Sequence, residues 1–180
     1  MRKVVAYSLI SLDGVAEEPS DFIAEWDQEM DQNLADVIST QDAVLLGRHM
    51  YEEWSHFWPE SEIEPFASFI NQVSKYIVTS SELTFEWSNA QRVLGDLASE
   101  LAVLTATEGG EIGVHGSIEL TQSMLEQGLI DSLRLVVIPV IQGRGRKLFN
   151  GRTTSRLRLK NSVRTSSGAL LLDYDVLHYS

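Results

Sequence analysis

Two pairs of residues, Gly47-Arg48 and Gly116-Ser117, each join a short apolar run to the start of a helical pattern. Helix N-termini leave backbone N–H groups unpaired and carry the positive end of the helix dipole, so anions settle there. Arg48 adds a planar guanidinium that suits a phosphate, such as the 2′-phosphate that separates NADP from NAD. Gly116 permits close approach of a ligand, and Ser117 is a good N-cap. Thr79, Ser80 and Ser81 follow a third apolar run and offer hydroxyls. Ser11-Leu12-Asp13-Gly14 closes the first run; Asp13 can orient a substrate amide or donate a proton, and Gly14 gives the loop freedom to close. Each feature also fits a plain structural role as a turn glycine, surface arginine, capping turn or Asp-Gly turn. Ligands of open α/β sheets sit beyond the carboxyl ends of the strands, so two phosphate-type junctions together weigh more than either alone.

Other chemistries find little support. There is no cysteine, and His49, His56, His115 and His178 lack metal-ligand spacing, so no metal is expected. Glu17-Glu18 and Glu52-Glu53 are adjacent and point apart, and no Gly-x-Ser-x-Gly elbow offers a nucleophile. Trp54 and Trp58 share one helical face and read as packing, or as one wall for a flat heterocycle. The loop Gly143-Arg144-Gly145-Arg146-Lys147 has the composition of an anion-binding concavity or of a solvated connection.

The elements that must position these residues alternate between the two hydrophobic periods. Strand patterns fall at 3–10, 42–47, 75–79, 91–94, 112–115 and 132–141. Helical patterns fall after Ser20 through Ile38, around Phe66–Val73, around Leu97–Leu104 and from Gly116-Ser117 to about Gln127. Residues 157–165 and 169–177 alternate around Ser166-Ser167-Gly168, a hairpin signal. This order predicts an α/β fold, a single domain over 1–180, with a central mixed, mostly parallel sheet flanked by helices and a C-terminal antiparallel hairpin.

A formal charge of −12 argues against nucleic acid, whose phosphates select basic surface. Arg144, Arg146, Lys147, Arg152, Arg156, Arg158, Lys160 and Arg164 make the last third locally basic, as a solvated face or as a dock for a phosphorylated small molecule. No apolar run reaches membrane-spanning length, and the opening MRKVVAYSLISLDG lacks a signal-peptide profile. Lack of cysteine fits a reducing compartment, so a cytoplasmic protein is expected.

The segments SLDGV (11–15), DAVLLGRHMYEEW (42–54), KYIVTSS (75–81), IGVHGSIEL (112–120), GLIDSLRLVVIPVIQGRGRKLF (128–149) and SGALLLDY (167–174) carry a resemblance. In that order the chain resembles stand-alone dihydrofolate-reductase-like proteins related to the reductase domain of the riboflavin-biosynthesis deaminase/reductase. The resemblance implies NADPH as hydride donor, a small heterocyclic substrate of pyrimidine or pterin type, and a homodimer. It also implies that Gly47 and Arg48 hold the 2′-phosphate end of the cofactor with Thr79 and Ser80. Gly116, Ser117 and Ile118 would then receive the pyrophosphate, while Ser11, Asp13 and Gly14 border the nicotinamide and substrate. Among Asp21, Glu25, Asp27, Glu29 and Asp31, the sequence singles out none as the buried carboxylate with which dihydrofolate reductases bind the pterin. The zinc-binding deaminase half has no counterpart, which points to an independent reductase.

Overall fold

A computed structural model describes residues 1–149, 151 and 154–178; Arg152 of the basic run lies outside them. Among the described residues there are eight strands and five α-helices, interspersed as far as the sixth strand and followed by two strands alone. The strand pairing is mostly parallel, with an antiparallel C-terminal pair. The chain divides into two compact units, Met1–Val4 with Leu34–Ser117, and Val5–Asn33 with Ile118–Ser180.

The first unit holds β2 (Gln41–Gly47), α2 (Arg48–Phe57), α3 (Phe66–Gln72), β3 (Ser74–Val78), β4 (Ala90–Arg92), α4 (Leu97–Ala106) and β5 (Glu111–His115). Its strands lie in the order β4-β3-β2-β5, each pair parallel. Ala43, Val44, Leu45 and Leu46 are all buried, as expected of a parallel strand covered on both faces. Val44, Leu46, Tyr51, Ile70 and Ile77 form the middle of this core. Helix α4 starts where Asp96 accepts from the Ser99 N–H, a side-chain N-cap.

Lys75 is fully buried in β3, although lysine is rarely found so. Its ammonium donates to the carbonyls of Ile70 (2.7 Å) and Val73 (2.9 Å) and lies 4.7 Å from the centre of the Trp87 ring. It thereby satisfies carbonyls that the end of α3 leaves open. Burial lowers its pKa to about 8.

The second unit holds β1 (Val4–Ser11), α5 (Ile118–Glu126), β6 (Ser132–Ile138), β7 (Arg156–Arg164) and β8 (Leu170–Leu177), with strand order β1-β6-β8-β7. β1 and β6 are parallel with Val5 opposite Ser132, and β6–β8 and β7–β8 are antiparallel. Here β6 stops at Ile138, three residues short of the expected end, because Pro139 cannot donate to the ladder.

The helix expected from just after Ser20 begins only at Gln28, as α1 (Gln28–Ser39), preceded by a 3-10 turn at Pro19–Asp21. The cause is Asp27. Its Oδ1 accepts from the Met30 N–H at 2.8 Å, the geometry of an N-cap. Its Oδ2 accepts from the Ser167 N–H (3.1 Å) and hydroxyl (2.6 Å), which pins the β7–β8 turn to the start of α1. Phe22 is buried outside any helix, so apolar spacing alone over-extended the helix.

Candidate functional site

In the first unit the two predicted junctions meet. The Gly47 N–H, at the end of β2, donates to Ser117 Oγ at 2.9 Å. Gly47 has extended dihedrals and opens directly into α2, whose first residue is Arg48. Ser117 is buried and follows β5 immediately before α5. With its oxygen accepting from Gly47, the Ser117 hydroxyl keeps its O–H, a donor of the kind a phosphate oxygen accepts from.

Gly116 has a φ of +64°, and a Cβ there would lie 2.8 Å from both Met50 Sδ and Trp54 Cζ2. The glycine is therefore demanded by the backbone and by the close approach of α2. Trp54 packs edge-on against Trp58 (5.8 Å) and Phe66 (5.6 Å), so both tryptophans belong to an aromatic cluster.

Arg48 is half-buried; its Nε pairs with Glu52 at 2.7 Å and its Nη1 donates to the Glu82 carbonyl at 3.3 Å. The Thr79 hydroxyl accepts from the Ser81 N–H at 3.2 Å. The Ser80 carbonyl accepts from Arg92 Nη1 at 3.3 Å, and Arg92 Nη2 pairs with Glu82 at 2.8 Å. Arg92 ends β4, within a strand pattern read at 91–94, but nothing in its sequence neighbourhood marks it for this contact, which depends on Ser80 and Glu82. Beneath this edge, His115 is buried with Nε2 2.7 Å from Gln41 Oε1, and burial lowers its pKa to about 3. A Cβ on Gly113 would fall on both of those side chains.

In the second unit Ser11, Asp13 and Gly14 form a latch. The buried Ser11 hydroxyl donates to Asp13 Oδ1 at 2.6 Å and accepts from the Val15 N–H at 2.9 Å. Asp13 also accepts from the N–H groups of Gln142 and Gly143, each at 2.9 Å. The Gly14 carbonyl accepts from the Leu148 N–H at 2.9 Å, with Gly14 at a φ of +86°. Hydrogen bonds from Ser11, then Gln142 and Gly143, lower the Asp13 pKa to about 2. At neutral pH it is a carboxylate with no proton to give.

The Gly143–Lys147 loop meets its anions from within the chain. Its first N–H groups serve Asp13, and Arg146 pairs with Glu17 (2.7 Å) and Glu119 (3.1 Å). Arg158 pairs with Asp175 at 2.8 Å, and Lys160 lies within 4 Å of Asp173 and Asp175, so much of the basic run faces the chain's own acids.

Of the five acids before and in α1, Asp27 is the buried one. Burial raises its pKa, but the hydrogen bonds from Ser167, Thr165 and the Met30 N–H outweigh that and leave it well below the usual carboxylate range. Its oxygens are thus occupied by the chain. Among the described residues, no group of three or more His, Cys, Asp or Glu is placed to hold a metal ion. Nor is any helix long and apolar enough to cross a membrane.

Known proteins resemble this chain in sequence and in fold. YwjB of Bacillus subtilis (strain 168), an uncharacterized protein, is 30% identical over 165 residues, covering 89% of this chain and 91% of its own. A Shewanella sp. PV-4 structure assigned to riboflavin biosynthesis superposes with a TM-score of 0.79 at 17% identity, covering 98% of this chain and 99% of that one. Acinetobacter baumannii RibD gives 0.70 at 16% identity over 98% of this chain and 58% of its own. These likenesses establish the dihydrofolate-reductase-like fold. The model of the RibD C-terminal domain matches residues 2–171, and the chain belongs to the RibD C-terminal domain family.

Proposed function

We propose that this protein is an NADPH-dependent reductase that transfers hydride to a pyrimidine- or pterin-like heterocycle, with 5-amino-6-(5-phosphoribosylamino)uracil as the best candidate. Membership of a reductase-like family supports the reaction class. The observation that carries the cofactor reading is the Gly47–Ser117 hydrogen bond, which brings the Gly47-Arg48 and Gly116-Ser117 pairs of the first unit together. In this reading Gly47, Arg48, Thr79 and Ser80 bind the adenine-ribose half. Gly116, Ser117 and Ile118 bind the pyrophosphate, and Ser11 and Gly14 border the substrate. NADPH supplies the hydride when bound; the protein positions the ring and excludes water.

Asp13 enters this reading as an anchor for the Gln142–Gly143 backbone, because its carboxylate is ionised and both oxygens accept hydrogen bonds from the chain. That engagement also favours a second reading, a non-catalytic nucleotide-binding or regulatory module on the same fold. A homodimer in the cytoplasm belongs to both readings.

Titration with NADPH and NADH, followed by tryptophan fluorescence, tests the cofactor assignment. Arg48→Ala should weaken NADPH by about ten-fold or more while leaving NADH nearly unchanged, as expected for loss of a charge-assisted phosphate contact. Binding without turnover of pyrimidine or pterin acceptors would select the second reading. Absence of binding by either nucleotide would overturn both.

A further inference from the structure

Two guanidinium groups of the first unit end on the same short segment. Arg92 Nη1 donates to the Ser80 carbonyl and Arg48 Nη1 to the Glu82 carbonyl, each at 3.3 Å, so residues 80–82 run between them. Each arginine also carries a carboxylate of its own. Arg48 holds Glu52, one turn further along α2, and Arg92 holds Glu82. The acids differ in attachment. Glu52 sits in an i,i+4 helical pair with 40% of its side chain exposed, whereas Glu82 reaches back from a loop with 85% exposed. Arg92 is itself only 24% exposed, so its cation is more sheltered than the acid that neutralises it.

We infer that Glu82 is a specificity-determining residue: its carboxylate occupies the place on Arg92 that a 2′-phosphate would take, and their competition sets the preference between NADPH and NADH. This rests on the reductase reading above. An exposed, single ion pair is weakly held, while a phosphate brings more charge and three acceptor oxygens that suit two guanidinium forks. NADH carries a 2′-hydroxyl there and cannot displace the carboxylate; an acid at such a position accepts from that hydroxyl and favours it. Glu82 therefore opposes the phosphate in both ways.

The experiment titrates the full chain with NADPH and with NADH, as wild type, Glu82→Gln, Arg92→Gln and the double variant. Glu82 is exposed, so its replacement leaves the fold intact. Glu82→Gln should tighten NADPH by about five-fold, the worth of a freed surface ion pair, and leave NADH unchanged or weaker. Arg92→Gln should weaken NADPH, and the gain from Glu82→Gln should vanish on that background. Equal tightening of both nucleotides would mark a general charge effect and overturn the inference, as would a gain that survives Arg92→Gln; in both cases the reductase reading stands. Failure of wild type to bind either nucleotide would overturn that reading and the inference with it.

Discussion

Ser117 Oγ accepts a hydrogen bond from the Gly47 N–H at 2.9 Å, so the ends of β2 and β5 are tied by one side chain. Ser117→Ala leaves that half-buried N–H without its partner. It should destabilise the protein by about 1 kcal/mol, the net worth of one partly buried hydrogen bond, measured by urea unfolding. NADPH should weaken at the same time, because the hydroxyl beside Gly47 is gone. Ser117→Thr should recover both.

Lys75→Met removes an ammonium that serves the Ile70 and Val73 carbonyls. The methionine fills the volume but strands those acceptors, so a loss of about 1–3 kcal/mol is expected at pH 7. An unchanged urea midpoint would show that the carbonyls find other donors.

His115 makes stability pH-dependent. Its folded pKa is lowered to about 3 by burial, below the unfolded value of about 6.5. The unfolded chain therefore binds the extra proton first, and stability falls as pH drops from about 6.5 toward 3. Between pH 7 and 5 the contribution is roughly 2 kcal/mol. His115→Asn should unfold with a flatter pH profile across that interval, whatever its stability at pH 7.

Asp13 titrates in a different window. Its folded pKa is lowered to about 2, so its contribution is complete above about pH 4 and lost as pH falls through 2. Asp13→Asn should loosen the latch at neutral pH. Amide exchange at Gln142 and Gly143 should speed up about five-fold or more, consistent with loss of one charge-assisted hydrogen bond. Exchange at wild-type rates would show that the latch depends on shape alone.

Much of the architecture was legible because each element declares its period. The buried run 43–46 and the alternation on either side of Ser166-Ser167-Gly168 gave strands within a residue or two of those observed. What escaped depends on partners distant in sequence. The start of α1 is set by Asp27 meeting Ser167, 140 residues away, which no window of apolar spacing can register. Asp13 reads as an acid free for chemistry until Gln142 and Gly143 are seen to consume it. Gly47 and Ser117 stand out in the sequence as two separate helix starts, and only the parallel pairing of β2 with β5 makes them neighbours. The Arg92–Glu82 pair has no motif at all; it is visible only as two charges meeting beyond short strands.

The sheltered position of Lys75 gives the protein an internal clock. The chain has four lysines, and Lys3, Lys147 and Lys160 are exposed while Lys75 is wholly buried. An amine-reactive reagent should therefore add four tags quickly to the native protein, at these three lysines and at the exposed Met1 α-amino group. A fifth would arrive only when the α3–β3 corner opens, so the delay before that last mass increment reports the opening rate of the unit that carries Arg48 and Ser117.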